Sequence, residues 1–135
     1  MNVKYRSFIN KCGEPIQAIS NDAARKLSKG QNMRRRYKDC KVSVAESRIV
    51  DAPGAKPILQ SVHVWSLRFD TEGKLVKRTL KRFSESALAS DTVTEPKTSD
   101  ILASYVHETF NLEQTENESG SSDTLYSQLW TLAAA

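Results

Sequence analysis

The sequence predicts an α+β fold: a small single domain with an antiparallel β-sheet (an N-terminal hairpin, a helix and a three-stranded meander), followed by C-terminal helices. Three observations lead there. Several stretches alternate in polarity, or run in β-branched and aromatic residues, between turn signals. Others place apolar residues at helical spacing behind Ser or Thr caps. The chain has 135 residues and 39% hydrophobic content, enough for one modest core.

Val3, Tyr5, Ser7 and Ile9 share one side of the first stretch. Cys12-Gly13-Glu14-Pro15 is turn chemistry, and Ile16 to Ile19 returns as a short apolar run, which makes a hairpin. Ser20 then serves as N-cap for a helix with Asp22 in its first turn and Ala23, Ala24 and Leu27 on its stripe. Gly30 either ends this helix or is passed through, in which case Met33 and Tyr37 extend the stripe. Lys41 to Val50 alternates, with Val42 and Val44 on one side, and reads as a strand. Asp51 to Pro57 is a loop, and Ile58 to Phe69 is the strongest strand in the chain. Asp70-Thr71-Glu72-Gly73 turns it into a return strand, Lys74 to Phe83. Ser84 caps a short helix through Ala87, Leu88 and Ala89.

Residues 91–98 read as a linker, which divides a basic body (1–90) from an acidic helical region (99–135). The helix of that region carries Leu102, Tyr105, Val106 and Phe110. Residues 113–123 are acidic and Ser-rich, with little to bury, and read as a flexible tether. Leu125, Leu129, Trp130 and Leu132 form a closing amphipathic helix.

Charge divides along the same line. Residues 1–83 hold 19 of the 20 Lys and Arg against seven acids, a net +12, while residues 84–135 hold Lys97 against nine acids, a net −8. A basic body with an acidic tail points to a polyanionic partner, to a tail that covers the body, or to both. The Arg34-Arg35-Arg36 cluster has to face solvent, because three adjacent guanidinium groups are not buried without partners. It is either a phosphate clamp or a solvated edge.

The hairpin 58–83 concentrates the question. Pairing Phe69 with Lys74 gathers His63, Trp65, Leu67, Phe69, Val76 and Leu80 on one face, a credible core, with Arg78 and Arg82 at its margin. The other face gathers Ser66, Arg68, Lys77, Thr79 and Lys81, with Val62 and Val64 toward one end. Trp65 belongs more naturally to the core than to a base-stacking platform.

Trp65 to Phe69, the Gly73-Lys74 turn, Arg78, Lys81-Arg82-Phe83 and Ser84 together resemble small three-stranded DNA-binding domains of the kind found as arm-binding domains of phage-type integrases. The likeness covers about a quarter of the chain and is one of turn and strand chemistry. It implies a sheet entering the major groove, with Arg68, Lys77 and Lys81 as the reading residues. Helix, three strands, helix is also the order of double-stranded RNA-binding domains. Their last helix begins with lysines, whereas here it begins Ser99-Asp100.

The leading expectation is therefore a small non-enzymatic nucleic-acid-binding or regulatory protein, with DNA favoured over RNA, that uses Arg34, Arg35, Arg36, Arg68, Lys77 and Lys81 on phosphates. The alternative is a protein-interaction module (an inhibitor, adaptor or assembly subunit) with an acidic partner and a docking helix anchored by Leu125, Leu129 and Trp130. No cofactor, metal site or catalytic residue is expected. Cys12, Cys40, His63 and His107 lack ligand spacing, and no glycine-rich phosphate loop is present. Cys40 with His63 is the one nucleophile pair left open. The N-terminus has no apolar signal region and no run of the chain suffices to span a bilayer, so the expected setting is the cytoplasm, with free thiols and no membrane partner.

Overall fold

In a computed structural model, the structure describes residues 2–11, 13–31, 36–85 and 98–119. Five strands and two helices occupy them: β1 (Asn2–Lys11), β2 (Gln17–Ile19), α1 (Asn21–Ser28), β3 (Cys40–Asp51), β4 (Ile58–Phe69), β5 (Leu75–Ser84) and α2 (Thr98–Ser119). The strands form one antiparallel sheet in the order β2-β1-β3-β4-β5. The α+β architecture is thus as predicted. The N-terminal hairpin is more deeply integrated than a separate hairpin would be, because β1 also pairs with β3, from Asn2↔Asp51 to Lys11↔Val42.

Alternation decides which residues each helix covers. Ile9, Val42, Val44, Leu67 and Phe69 lie on the side packed by Ala24 and Leu27 of α1, together with Tyr37. Phe8, Ala45, Val62 and Val64 lie on the side packed by Leu102, Ala103, Tyr105, Val106 and Phe110 of α2. Both sheet faces therefore carry core. Burial of this kind contributes roughly 25 cal/mol per Å² of apolar surface removed from water, the dominant favourable term.

The ends of α1 follow from local chemistry. Ser20 Oγ accepts the Ala23 N–H at 3.1 Å. At the other end Gly30 adopts φ +85°, its N–H bonds the Leu27 carbonyl at 2.8 Å, and the Gln31 N–H bonds the Lys26 carbonyl at 3.0 Å. This is the left-handed glycine stop, and it settles the open choice: the helix ends here. A Cβ at Gly30 would also lie 2.5 Å from Leu75 Cδ2.

Two bulges shape the sheet. Arg48 pairs with Ser61 but Ile49 pairs with Leu59, which leaves Gln60 as an extra residue in β4. Arg68 pairs with Lys77 but Phe69 pairs with Leu75, which leaves Val76 extra in β5. The β4–β5 pairing is thus displaced by two residues from the expected one: Trp65 faces Leu80 and Leu67 faces Arg78. A two-residue displacement preserves the faces, so the division of side chains follows the expected one except at the bulge: Val76 and Leu80, expected in the core, are 58% and 38% exposed, and Leu75 packs against the α1-side core instead.

The tether expectation for 113–123 needs correction over its first seven residues, because α2 continues to Ser119. Glu113 is drawn onto the sheet as the ion-pair partner of Arg6, and Glu and Gln are good helix formers. The short helix expected after Ser84, the linker up to Lys97 and the closing helix with Leu125, Leu129 and Trp130 lie outside the described residues.

Candidate functional site

Helix α2 covers only part of its sheet face. It sits over the apolar rows and leaves Lys41, Arg68, Lys77 and Thr79 exposed, with Asn10 and Ser66 half-buried and Ser43 buried between them. The register shows the arrangement row by row. Phe8, Ala45, Val64 and Lys81 lie side by side across four strands, and Lys81 is the only charged member of that row. The next row, two residues along, is Asn10, Ser43, Ser66 and Thr79. The row beyond is Lys41, Arg68 and Lys77. Neighbouring strands lie about 4.8 Å apart, so these three cations form a line roughly 10 Å long.

The open rows border a cleft of about 1170 Å³ that runs to Thr98 and Ser99 at the start of α2. Four cationic side chains line it: Lys41, Arg68, Lys77 and Lys81. No aromatic ring does so among the described residues.

The cations differ in their engagement. Lys81 reaches Asp100, whose carboxylate is buried (8% exposed) in the first turn of α2, and it lies 5.2 Å from the Phe83 ring. Arg68 stands 3.6 Å from the Asp39 carboxylate, with both groups half-exposed or more. Lys41 and Lys77 are exposed and have no ion-pair partner among the described residues. The Asn10 amide donates to the Glu14 carbonyl at 3.1 Å.

Of the six cations expected to meet phosphate, the structure brings together Arg68, Lys77 and Lys81. Arg36 is exposed but does not line the cleft, and Arg34 and Arg35 lie outside the described residues. Sequence reasoning missed Lys41, Ser43 and Asn10. The signal was present in part: Val42 and Val44 point to the α1 side, so Lys41 and Ser43 point to the other. The β4 bulge at Gln60 hid it, because counting back through the loop without that extra residue places Lys41 opposite Leu67 on the wrong face.

Trp65 packs against the α1-side core and stands edge-on to His63, with ring centroids 5.9 Å apart. Arg78, on that same side, donates through Nε to the Ser28 carbonyl at the end of α1, where a cation suits the helix dipole. Cys40 donates through its thiol to the Lys41 carbonyl at 3.4 Å. It pairs with Phe69, whereas His63 pairs with Glu46 six residues further along β3, so about 20 Å separates thiol and imidazole, and they cannot act as a nucleophile pair. Among the described residues no three His, Cys, Asp or Glu side chains converge as metal ligands, and no helix is long and apolar enough to cross a membrane.

Comparison of the chain with family models, with curated proteins and with solved structures yields no match.

Proposed function

We propose that this chain is a small non-enzymatic nucleic-acid-binding protein whose contact surface is the uncovered end of the α2 side of the sheet. The observation that carries the reading is the line of Lys41, Arg68 and Lys77 across three adjacent strands, bordered by a row of short hydrogen-bonding side chains. Edge protection accounts for lysines on β5, the outer strand. It does not account for Lys41 and Arg68, which sit on interior strands. Three like charges in adjacent positions repel one another, and a cross-strand pair of like charges is destabilising. Such a line is relieved when phosphates replace its counterions.

The test is binding of a fluorescent random-sequence duplex by the full chain and by a Lys41→Ala/Lys77→Ala variant, at 50 and 200 mM salt. Both lysines are exposed and have no ion-pair partner among the described residues, so the variant should keep its fold. The expected result is about tenfold weaker binding and a salt slope shallower by about two units, close to 0.9 for each lost phosphate contact. Unchanged affinity and slope would remove this face from the reading.

A further inference from the structure

We infer that the cleft takes the backbone of double-stranded DNA and reads neither single strands nor base sequence. The inference rests on the nucleic-acid reading above and names the ligand class of that same site.

The first argument is the absence of a stacking platform. Proteins that hold single strands place bases on aromatic side chains. Here the open rows are lysine, arginine, serine, threonine and asparagine, and no ring lines the cleft among the described residues. The described aromatic side chains are committed elsewhere, and Tyr5 lies against Arg25 of α1, 5.4 Å from its guanidinium. Tyr37, Trp65 and Phe69 are on the α1 side. Phe8, Tyr105 and Phe110 are buried under α2, and Phe83 packs against that cluster.

The second argument is spacing. Lys41 and Lys77 stand about 10 Å apart across the strands, and Lys77 and Lys81 about 14 Å apart along β5, with the hydroxyl row between. The major groove of B-form DNA is about 12 Å wide between its phosphate borders. Lys41 and Lys77, at the two ends of the cation line, reach phosphates on both borders of one groove, while Lys81 is held by Asp100. A flexible single strand offers no such fixed pair of borders.

The third argument concerns readout. Base pairs are distinguished best by planar groups that make two parallel hydrogen bonds, such as arginine on guanine and asparagine on adenine. Arg68 is the only guanidinium lining the cleft among the described residues, and it faces Asp39. Asn10 is the only carboxamide there, and its amide is bonded to the Glu14 carbonyl. The lysines left over act as point charges, and the hydroxyls are too short to reach a groove floor about 8.5 Å deep. Contacts to phosphate position a protein without carrying sequence information. The resemblance that assigns base reading to Arg68, Lys77 and Lys81 is thus narrowed: two of the three already face a carboxylate.

The experiment measures fluorescence anisotropy of the full chain, at one low salt concentration, with three labelled probes: a 20-base-pair duplex, one of its strands alone, and a duplex of equal length and unrelated sequence. The two duplexes should bind within about threefold of each other, and the single strand roughly tenfold more weakly or worse. The Lys41→Ala/Lys77→Ala variant should lose affinity for both duplexes alike. A single strand bound as tightly as the duplex, or duplexes differing by more than about tenfold, would overturn this inference and leave nucleic-acid binding standing. No binding of any probe would overturn the function itself, and this inference with it.

Discussion

At the scale of single residues, Asp39 holds two positions at once. It adopts φ +47°, a left-handed conformation that side chains other than Gly, Asn and Asp avoid, and its N–H bonds the Asp70 carbonyl at 2.7 Å. Its carboxylate also faces Arg68, a member of the cation line. Asp39→Asn keeps a residue that tolerates this backbone and removes the charge. Stability in urea should stay within about 0.5 kcal/mol, because an exposed ion pair contributes little, while duplex affinity rises as Arg68 is released. A variant that binds no better than the parent chain would show that Arg68 does not contact the ligand. Asp70 makes a different prediction. Its Oδ1 accepts the Lys74 N–H at 2.8 Å and the Glu72 N–H at 2.9 Å, closing the β4–β5 turn. The Lys74 bond is the main cause that holds its carboxyl below the usual carboxylate range. A lowered folded-state value means that the charged form stabilises the fold above the unfolded value near 3.9, and that this contribution is lost as pH falls through the folded value. The parent chain should be more stable than Asp70→Asn at pH 6, and the difference should close toward pH 3 in urea unfolding. A gap that stays constant over this range would place the contribution of Asp70 elsewhere.

At the scale of elements, β5 and α2 are joined by the pair of Lys81 with Asp100. The carboxylate is buried and the ammonium half-exposed, so removing either partner has a different cost. Lys81→Ala leaves a buried charge with one fewer partner and should cost about 1–3 kcal/mol in urea unfolding. Asp100→Asn should cost less and should strengthen duplex binding by freeing Lys81 for phosphate. If Lys81→Ala proved as stable as the parent chain, the pair would not be what fixes the start of α2. Lys81 is consequently a poor probe of binding by itself, since any loss of affinity would be mixed with loss of fold. The elements also show what was legible in the sequence. Strand and helix positions were, because alternation, Ser20 as a cap and Gly30 as a stop are local signals. The faces of the β4–β5 hairpin were too, because turn length and the Val76 bulge each shift the pairing by one and together restore the parity. The β3–β4 faces were not, because the single extra residue Gln60 inverts them and nothing in its side chain marks it as a bulge. Lys41 and Ser43 were lost to the site because no local signal sets the register of β3 against β4. The pairing of β1 with β3 was equally hidden, since it joins segments about forty residues apart and only the fold brings them together.

At the scale of the whole molecule, the division of charge acquires a structural meaning. The acidic C-terminal part is not merely appended to the basic body: over Thr98–Ser119 it is a helix whose apolar stripe closes one face of the sheet. Two ion pairs fasten it, Asp100 to Lys81 near its start and Glu113 to Arg6 further along. A sheet whose Phe8, Val62 and Val64 were exposed would present a continuous apolar patch to water, so the body should not fold stably without α2. Unfolding should therefore be one cooperative event. The test uses a Trp130→Phe background, which leaves Trp65, on the opposite side of the sheet from α2, as the only indole. Tryptophan fluorescence then reports the α1 side, while far-ultraviolet circular dichroism near 222 nm reports the helices, chiefly α2, the longer of the two described. The two signals should trace a single urea transition. Leu102→Ala, which empties a fully buried position under α2, should move both midpoints together by the equivalent of about 2–5 kcal/mol. A helical signal that melts first, with the tryptophan transition unmoved by Leu102→Ala, would mean that the sheet and α1 stand alone and that the charge division marks two folding units after all.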